Sequence, residues 1–167
     1  MRLSIRLITL CAGLLISHLG SAAELPQRWV SAGGALSEWV STLGAESKLV
    51  GVDTTSQHPA SLKSLPSIGY QRELSAEGIL SLRPDVLIGT EEMGKPGTLS
   101  QIRGAGVSVE MFSAQPELSA LQSNLARLGR LLGDEPHAMQ VFESYQQQME
   151  QQQAQVKKQK RLKRQVQ

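Results

Sequence analysis

The stretch Ser75 to Thr90, S-A-E-G-I-L-S-L-R-P-D-V-L-I-G-T, decides the fold. A serine stands where a helix cap belongs, Glu77 falls in the first turn beside the positive end of the helix dipole, and Pro84 closes the segment because it cannot continue a helix. Directly after it, Asp85 to Gly89 reads as a strand. Its Val86-Leu87-Ile88 run is apolar on both sides of the pleat, which suits a parallel strand covered by helices on both faces. Helix, short connection and doubly buried strand make one αβ unit. The fold class follows if that unit repeats.

It does repeat. Trp29-Val30 opens a first strand, Gly33-Gly34 turns, and Leu36, Trp39, Val40 and Leu43 recur at helical spacing before Gly44 stops the helix. Lys48 to Val52 reads as a second strand, followed by a loop rich in Ser, Thr and Pro from Asp53 to Gly69. Thr98 to Arg103 forms a short helix closed by Gly104, and Val107 to Phe112 is a fourth strand. Leucines at 118, 121, 125, 128 and 132 line one side of a helix that ends at Gly133-Asp134. The last helix starts at Pro136 and sets Ala138, Val141, Phe142, Tyr145 and Met149 on one face. The expectation is an α/β fold: a Rossmann-like lobe with a parallel sheet over residues 24–133, then a long helix over 134–167. Trp29, Trp39 and Tyr145 are assigned to the core.

The two ends of the chain differ from its middle. Arg2 and Arg6 precede an apolar run from Leu7 to Leu19 that closes on Ser21-Ala22-Ala23, the pattern of a secretory signal peptide at 1–23 with cleavage after Ala23. The only cysteine, Cys11, lies inside it, so the mature chain has no thiol and a periplasmic location is expected. The formal charge of +2 averages unlike segments: Lys157, Lys158, Lys160, Arg161, Lys163 and Arg164 are six of the 17 bases, and Arg2 and Arg6 leave with the leader. Residues 24–155 keep nine bases against all 15 acids, a net of −6. An acidic body repels nucleic acid. The segment 146–167 holds ten glutamines and the basic cluster, so the last helix outruns the apolar face that would bury it.

Catalytic and nucleotide-binding patterns do not appear. There is no G-x-x-x-x-G-K-[ST], no G-x-S-x-G and no H-E-x-x-H, and His18, His58 and His137 form no zinc pattern. Gly33-Gly34 is a tight strand-to-helix turn, and Glu91-Glu92 is solvated loop charge. An enzyme is not expected. Tyr70 is the residue that the helix and strand patterns leave over: one of only two tyrosines, placed at a loop tip with little core to fill, and followed two positions on by Arg72, which along an extended segment points to the same side.

The stretches V-S-A-G-G-A-L-S-E-W (30–39), V-G-V-D-T-T-S (50–56), L-P-S-I-G-Y-Q-R-E-L-S-A-E-G-I-L-S-L-R-P-D-V-L-I-G-T-E-E-M-G (65–94) and N-L-x-x-L-G-x-L-L-G (124–133) resemble the periplasmic haemin-binding proteins of bacterial ABC haem importers, the HmuT type. The likeness runs over essentially the whole mature chain, and the block around Tyr70 is its most specific part. It implies two Rossmann-like lobes bridged by a long helix, of which this sequence matches the first lobe and the helix, the second lobe being absent and the helix truncated. It also implies that Tyr70 is the ligand to ferric haem iron, that Arg72 favours the phenolate or pairs with a haem propionate, and that haem is the transported ligand. A single lobe would bind haem more weakly than two. Lys95, where relatives more often carry proline, is a candidate contact to a propionate. His58 is a weaker candidate for axial ligand, and Met93 would border the porphyrin or pack.

The implied partners are haem and an inner-membrane ABC permease, with the protein a monomer that binds no nucleic acid. Rival expectations are a binding protein for ferric siderophore or cobalamin, a fragment whose bare helix docks on a partner, and a binder of anionic surfaces through Lys157 to Arg164.

Overall fold

The computed structural model describes residues 24–165; the expected signal peptide and its Cys11 lie outside the described residues. Four strands, β1 (Trp29–Ala32), β2 (Leu49–Val52), β3 (Val86–Thr90) and β4 (Ser108–Phe112), form one sheet in the order β2-β1-β3-β4. Every pairing is parallel, as the repeated αβ units require. Five helices accompany them: α1 (Gly34–Thr42), α2 (Ala76–Ser81), α3 (Pro96–Gly104), α4 (Leu118–Leu132) and α5 (Glu135–Gln165).

The sheet is covered on both sides, which explains why β1 is buried along its whole length and why β3 opens on an unbroken apolar run. Alternation along the strands sends Trp29, Val86, Ile88 and Phe112 to one core, with Leu36 and Val40 of α1, Leu125 and Leu128 of α4, and Ala138 and Phe142 of α5. It sends Val30, Ala32 and Leu87 to the other core, with Ile79 of α2 and Leu99 and Ile102 of α3. The result is an α/β/α sandwich.

Local sequence explains most element ends. The Ser75 hydroxyl accepts from the Gly78 amide, capping α2, and Gly133 ends α4 at φ 80 in the left-handed region that glycine enters freely. Gly129 allows α4 and α5 to approach closely: a Cβ there would lie 2.7 Å from Ala138 Cβ and 2.7 Å from Glu135 Cα. Arg127 of α4 reaches the sheet edge, where it donates to the Met111 carbonyl, pairs with Glu110 and lies 4.9 Å over the Phe112 ring.

Several expectations need adjusting. Helix α3 starts at Pro96, which takes the first helical position where its missing N–H costs nothing, and the chain reverses at Gly106 (φ 87) rather than at Gly104. The loop 53–69 contains a 3-10 turn at Ala60–Ser64, and its end runs extended beside β2. Trp39 and Tyr145 are half-buried rather than core; their rings meet edge to face at 5.4 Å between α1 and α5. Helix α5 spans 31 residues, and from Gln147 to Leu162 every residue is exposed. None of the helices among the described residues is long and apolar enough to cross a membrane.

Candidate functional site

The sheet order places a topological switch between β1 and β3, whose following connections leave in opposite directions, and ligands of open α/β sheets gather outside the carboxyl ends of the strands at such a point. A groove of about 590 Å³ lies there. Gly33, Gly34 and Trp39 line it after β1, Thr55 and His58 after β2, Thr90 and Glu92 after β3, and Ser113 to Gln115 after β4, with Gln71, Leu121 and Asn124 completing the wall.

Gly33, Gly34 and Thr55 of its lining belong to a polar network at the start of α1. Asp53, 2% exposed, accepts from the Gly33 amide at 3.0 Å and from Ser56 Oγ at 2.8 Å through Oδ1, and from the amide and hydroxyl of Thr55 at 3.1 and 2.7 Å through Oδ2. Ser37 Oγ donates to Ser31 Oγ at 2.8 Å and lies 2.7 Å from Ser56 Oγ. The Gly34 amide donates to Thr55 Oγ1 at 2.9 Å, and a Cβ on Gly34 would come within 2.4 Å of the Thr55 carbonyl oxygen. Gly33-Gly34 is therefore a tight strand-to-helix turn, as expected, and its close approach to 53–56 holds two rim loops together. The D-T-T-S motif carries its own signal for this, since Asp, Thr and Ser after a strand bond to nearby backbone.

Tyr70 reaches the rim by a different route. Residues 66–69 pair with β2 and its continuation: Val52 N donates to Pro66 O at 3.0 Å, Ile68 N to Val52 O at 3.0 Å, and Thr54 N to Gly69 O at 2.9 Å. Gly69 then turns at φ 83 and delivers Tyr70, 44% exposed. Residues 70–73 form a turn closed by Glu73 N donating to Tyr70 O at 2.9 Å, not the extended segment expected from sequence, so strand alternation does not place Arg72 beside Tyr70.

Arg72 instead meets Glu92, with Nη2 to Oε2 at 2.7 Å. The guanidinium pKa is held above its ordinary value first by that hydrogen bond, then by the charge on Glu92 and finally by Tyr70. Glu91 and Glu92 are thus more than solvated charge: Glu91 Oε2 accepts from the Ala114 amide at 2.9 Å, and Glu92 engages Arg72. Asn124 holds the next loop from two sides, donating to Ser113 O at 2.8 Å and accepting from Ser113 N at 3.1 Å.

Of the residues singled out from sequence, Tyr70 and Arg72 flank Gln71 of the groove wall without lining the groove themselves, while His58 lines it. Lys95 is exposed at the start of α3, outside the lining. Met93 packs: it is 1% exposed, and a Cβ on Gly89 would overlap its Sδ. Gln71 and Asn124 are groove residues that sequence reasoning did not single out, and Glu92, read from sequence as solvated loop charge, lines the groove. Among the described residues, no three His, Cys, Asp or Glu side chains cluster to hold a metal ion.

Comparison with known proteins adds to this geometry. A family model described as periplasmic binding protein matches residues 30–166. Among solved structures, the chain is similar to a periplasmic heme-binding protein from Pseudomonas aeruginosa, at 64% identity over 78% of this chain and 47% of that one, with a TM-score of 0.76. It is also similar to the periplasmic heme-binding protein HutB of Vibrio cholerae, at 41% identity over 77% and 49% of the two chains, TM-score 0.71. A curated relative, a vitamin B12-binding protein of Yersinia pestis, is 27% identical over 136 residues, 81% of this chain and 48% of its own. The chain spans about half the length of the relatives it matches.

Proposed function

Because the chain belongs to the periplasmic binding protein family, we propose that it forms the first, haem-binding lobe of a substrate-binding protein that delivers ferric haem to an ABC permease. The leader at 1–23 would export it to the periplasm, residues 24–133 would be the ligand-binding lobe, and 134–167 would belong to the helix bridging to a second lobe. No reaction is performed on the ligand. The protein acts as a monomer that captures and releases.

The observation that carries this reading is Tyr70, an exposed phenol at the carboxyl rim of the sheet, next to Gln71 of the groove wall and two residues before Arg72. Ferric iron is a hard acid, and tyrosinate is one of the axial ligands that proteins offer to haem. The iron-oxygen bond would favour the phenolate form of Tyr70, and a cation close by adds to it. The groove beside Tyr70, with Trp39 and Leu121 in its wall, offers apolar contact to a porphyrin, and Arg72 and Lys95 supply positive charge for propionates. The likeness to the Pseudomonas aeruginosa protein supports haem over other ligands of the class.

Titrating the purified chain with haemin tests the proposal: a ferric spectrum of the tyrosinate type that disappears in Tyr70→Phe is expected, and a wild-type spectrum in the variant would remove Tyr70 as ligand. Similarity to vitamin B12-binding proteins favours a second reading, cobalamin as the cargo. Saturable binding of hydroxocobalamin with no uptake of haemin would decide for it.

A further inference from the structure

We infer that Glu92 is an internal competitor for the carboxylates of the ligand, holding Arg72 until a porphyrin propionate displaces it. This inference rests on the haem reading above but concerns a residue which that reading leaves without a role. Glu92 belongs to the groove wall and its carboxylate binds the Arg72 guanidinium, which itself does not line the groove. A ligand acid that pairs with Arg72 must share the guanidinium with Glu92 or displace it.

The pair is built to be exchanged. Its side chains are 54% and 48% exposed, and a single Nη2–Oε2 contact leaves the other guanidinium donors available for a two-pronged bond to a second carboxylate. The alternative role, a strut holding the turn after β3 against the loop of Tyr70, is already filled by other contacts. Gly94 N donates to Gln71 O at 2.8 Å, Met93 N donates to Thr90 O at 3.0 Å, and the Met93 side chain is buried between α2 and α3 residues. With its backbone fixed in this way, Glu92 cannot move far from the rim. Its charge both occupies Arg72 and repels an incoming acid, so it sets how strongly the site rewards a ligand that carries carboxylates.

The test uses metal-free protoporphyrin IX and its dimethyl ester, followed by fluorescence, with the wild-type chain, Glu92→Gln, Arg72→Gln and the double variant. Glu92→Gln is expected to tighten binding of the diacid about two- to fivefold, the range of an exposed ion pair, to leave the ester unchanged, and to give no gain when Arg72 is also replaced. Weaker or unchanged binding of the diacid by Glu92→Gln, or a gain that survives in the double variant or extends to the ester, would overturn the inference. Neither porphyrin contains iron, so the result is independent of the Tyr70 bond. Failure of the wild-type chain to bind the diacid, or normal porphyrin binding with no effect of Glu92→Gln, sinks this inference alone, because the haem reading stands or falls with the haemin titration through Tyr70.

Discussion

The amide of Gly94 donates to the carbonyl of Gln71 across 2.8 Å, which makes the turn after β3 and the loop bearing Tyr70 one unit. Residues 20 positions apart, Arg72 and Glu92, meet because of it. A side chain on this unit can be altered without loosening the rim, provided the backbone link and the buried Met93 are kept.

Tyr70→Phe separates binding from stability. Tyr70 is exposed and belongs to neither core, so losing its hydroxyl should leave unfolding free energy within about 0.5 kcal/mol of wild type. Haemin affinity should fall by roughly tenfold or more, corresponding to at least about 1.4 kcal/mol. Equilibrium unfolding beside a haemin titration checks both halves.

Asp53→Ala should do the opposite. It strands the Gly33 and Thr55 amides in the buried network and removes charge-assisted bonds, lowering stability by about 2–4 kcal/mol. Denaturant unfolding measures this. A loss below 0.5 kcal/mol, on the same scale as an ordinary surface change, would show that the network does not hold the rim.

Two glycines inside helices should respond with opposite sign. Gly78→Ala on exposed α2 meets only Ser75, at 3.6 Å and beyond, and should gain about 0.5–1 kcal/mol from reduced backbone freedom in the unfolded chain. Gly129→Ala places its methyl 2.7 Å from the backbone of α5 and should cost about 1–3 kcal/mol. Thermal melts of the two variants side by side provide the comparison.

Asp85 predicts a pH dependence. Its carboxyl is held below the usual carboxylate range by the amides of Gln27 and then Arg28, both donating to Oδ2 at 2.8 Å. A folded pKa below the unfolded value of about 3.9 means stabilisation that is present above pH 4 and lost as pH falls through the folded pKa. Asp85→Asn should therefore be less stable than wild type at pH 7, with the gap closing below about pH 4. A gap of constant size across that range would contradict the assignment.

Much of this architecture was readable before any coordinates. The Val86-Leu87-Ile88 run declared a strand covered on both faces, Ser75 the start of α2, and Gly133 the end of α4, because each rests on local chemistry. Residues 66–69 were not readable as a pairing segment: Pro66, Ser67 and Gly69 look like loop, and only the free edge of β2 recruits them. Helical spacing put Trp39 and Tyr145 on inward faces but says nothing about whether neighbours cover them, and they remain half-exposed. At the site, the anomaly of Tyr70 was visible as an aromatic at a loop tip. The partner of Arg72 was not, since no local rule links it to a glutamate 20 positions on and a turn replaced the extended geometry that strand alternation assumes.

The grip of Arg127 on β4 has an effect away from the cargo site. An outer strand with free backbone groups invites a neighbouring molecule to continue the ladder. Here one carbonyl of that strand, Met111, is already satisfied by a guanidinium, and Glu110 sets a carboxylate beside it. A second copy adding itself there would have to break those contacts and bury charge, so strand-to-strand polymerisation is penalised on this border of the lobe.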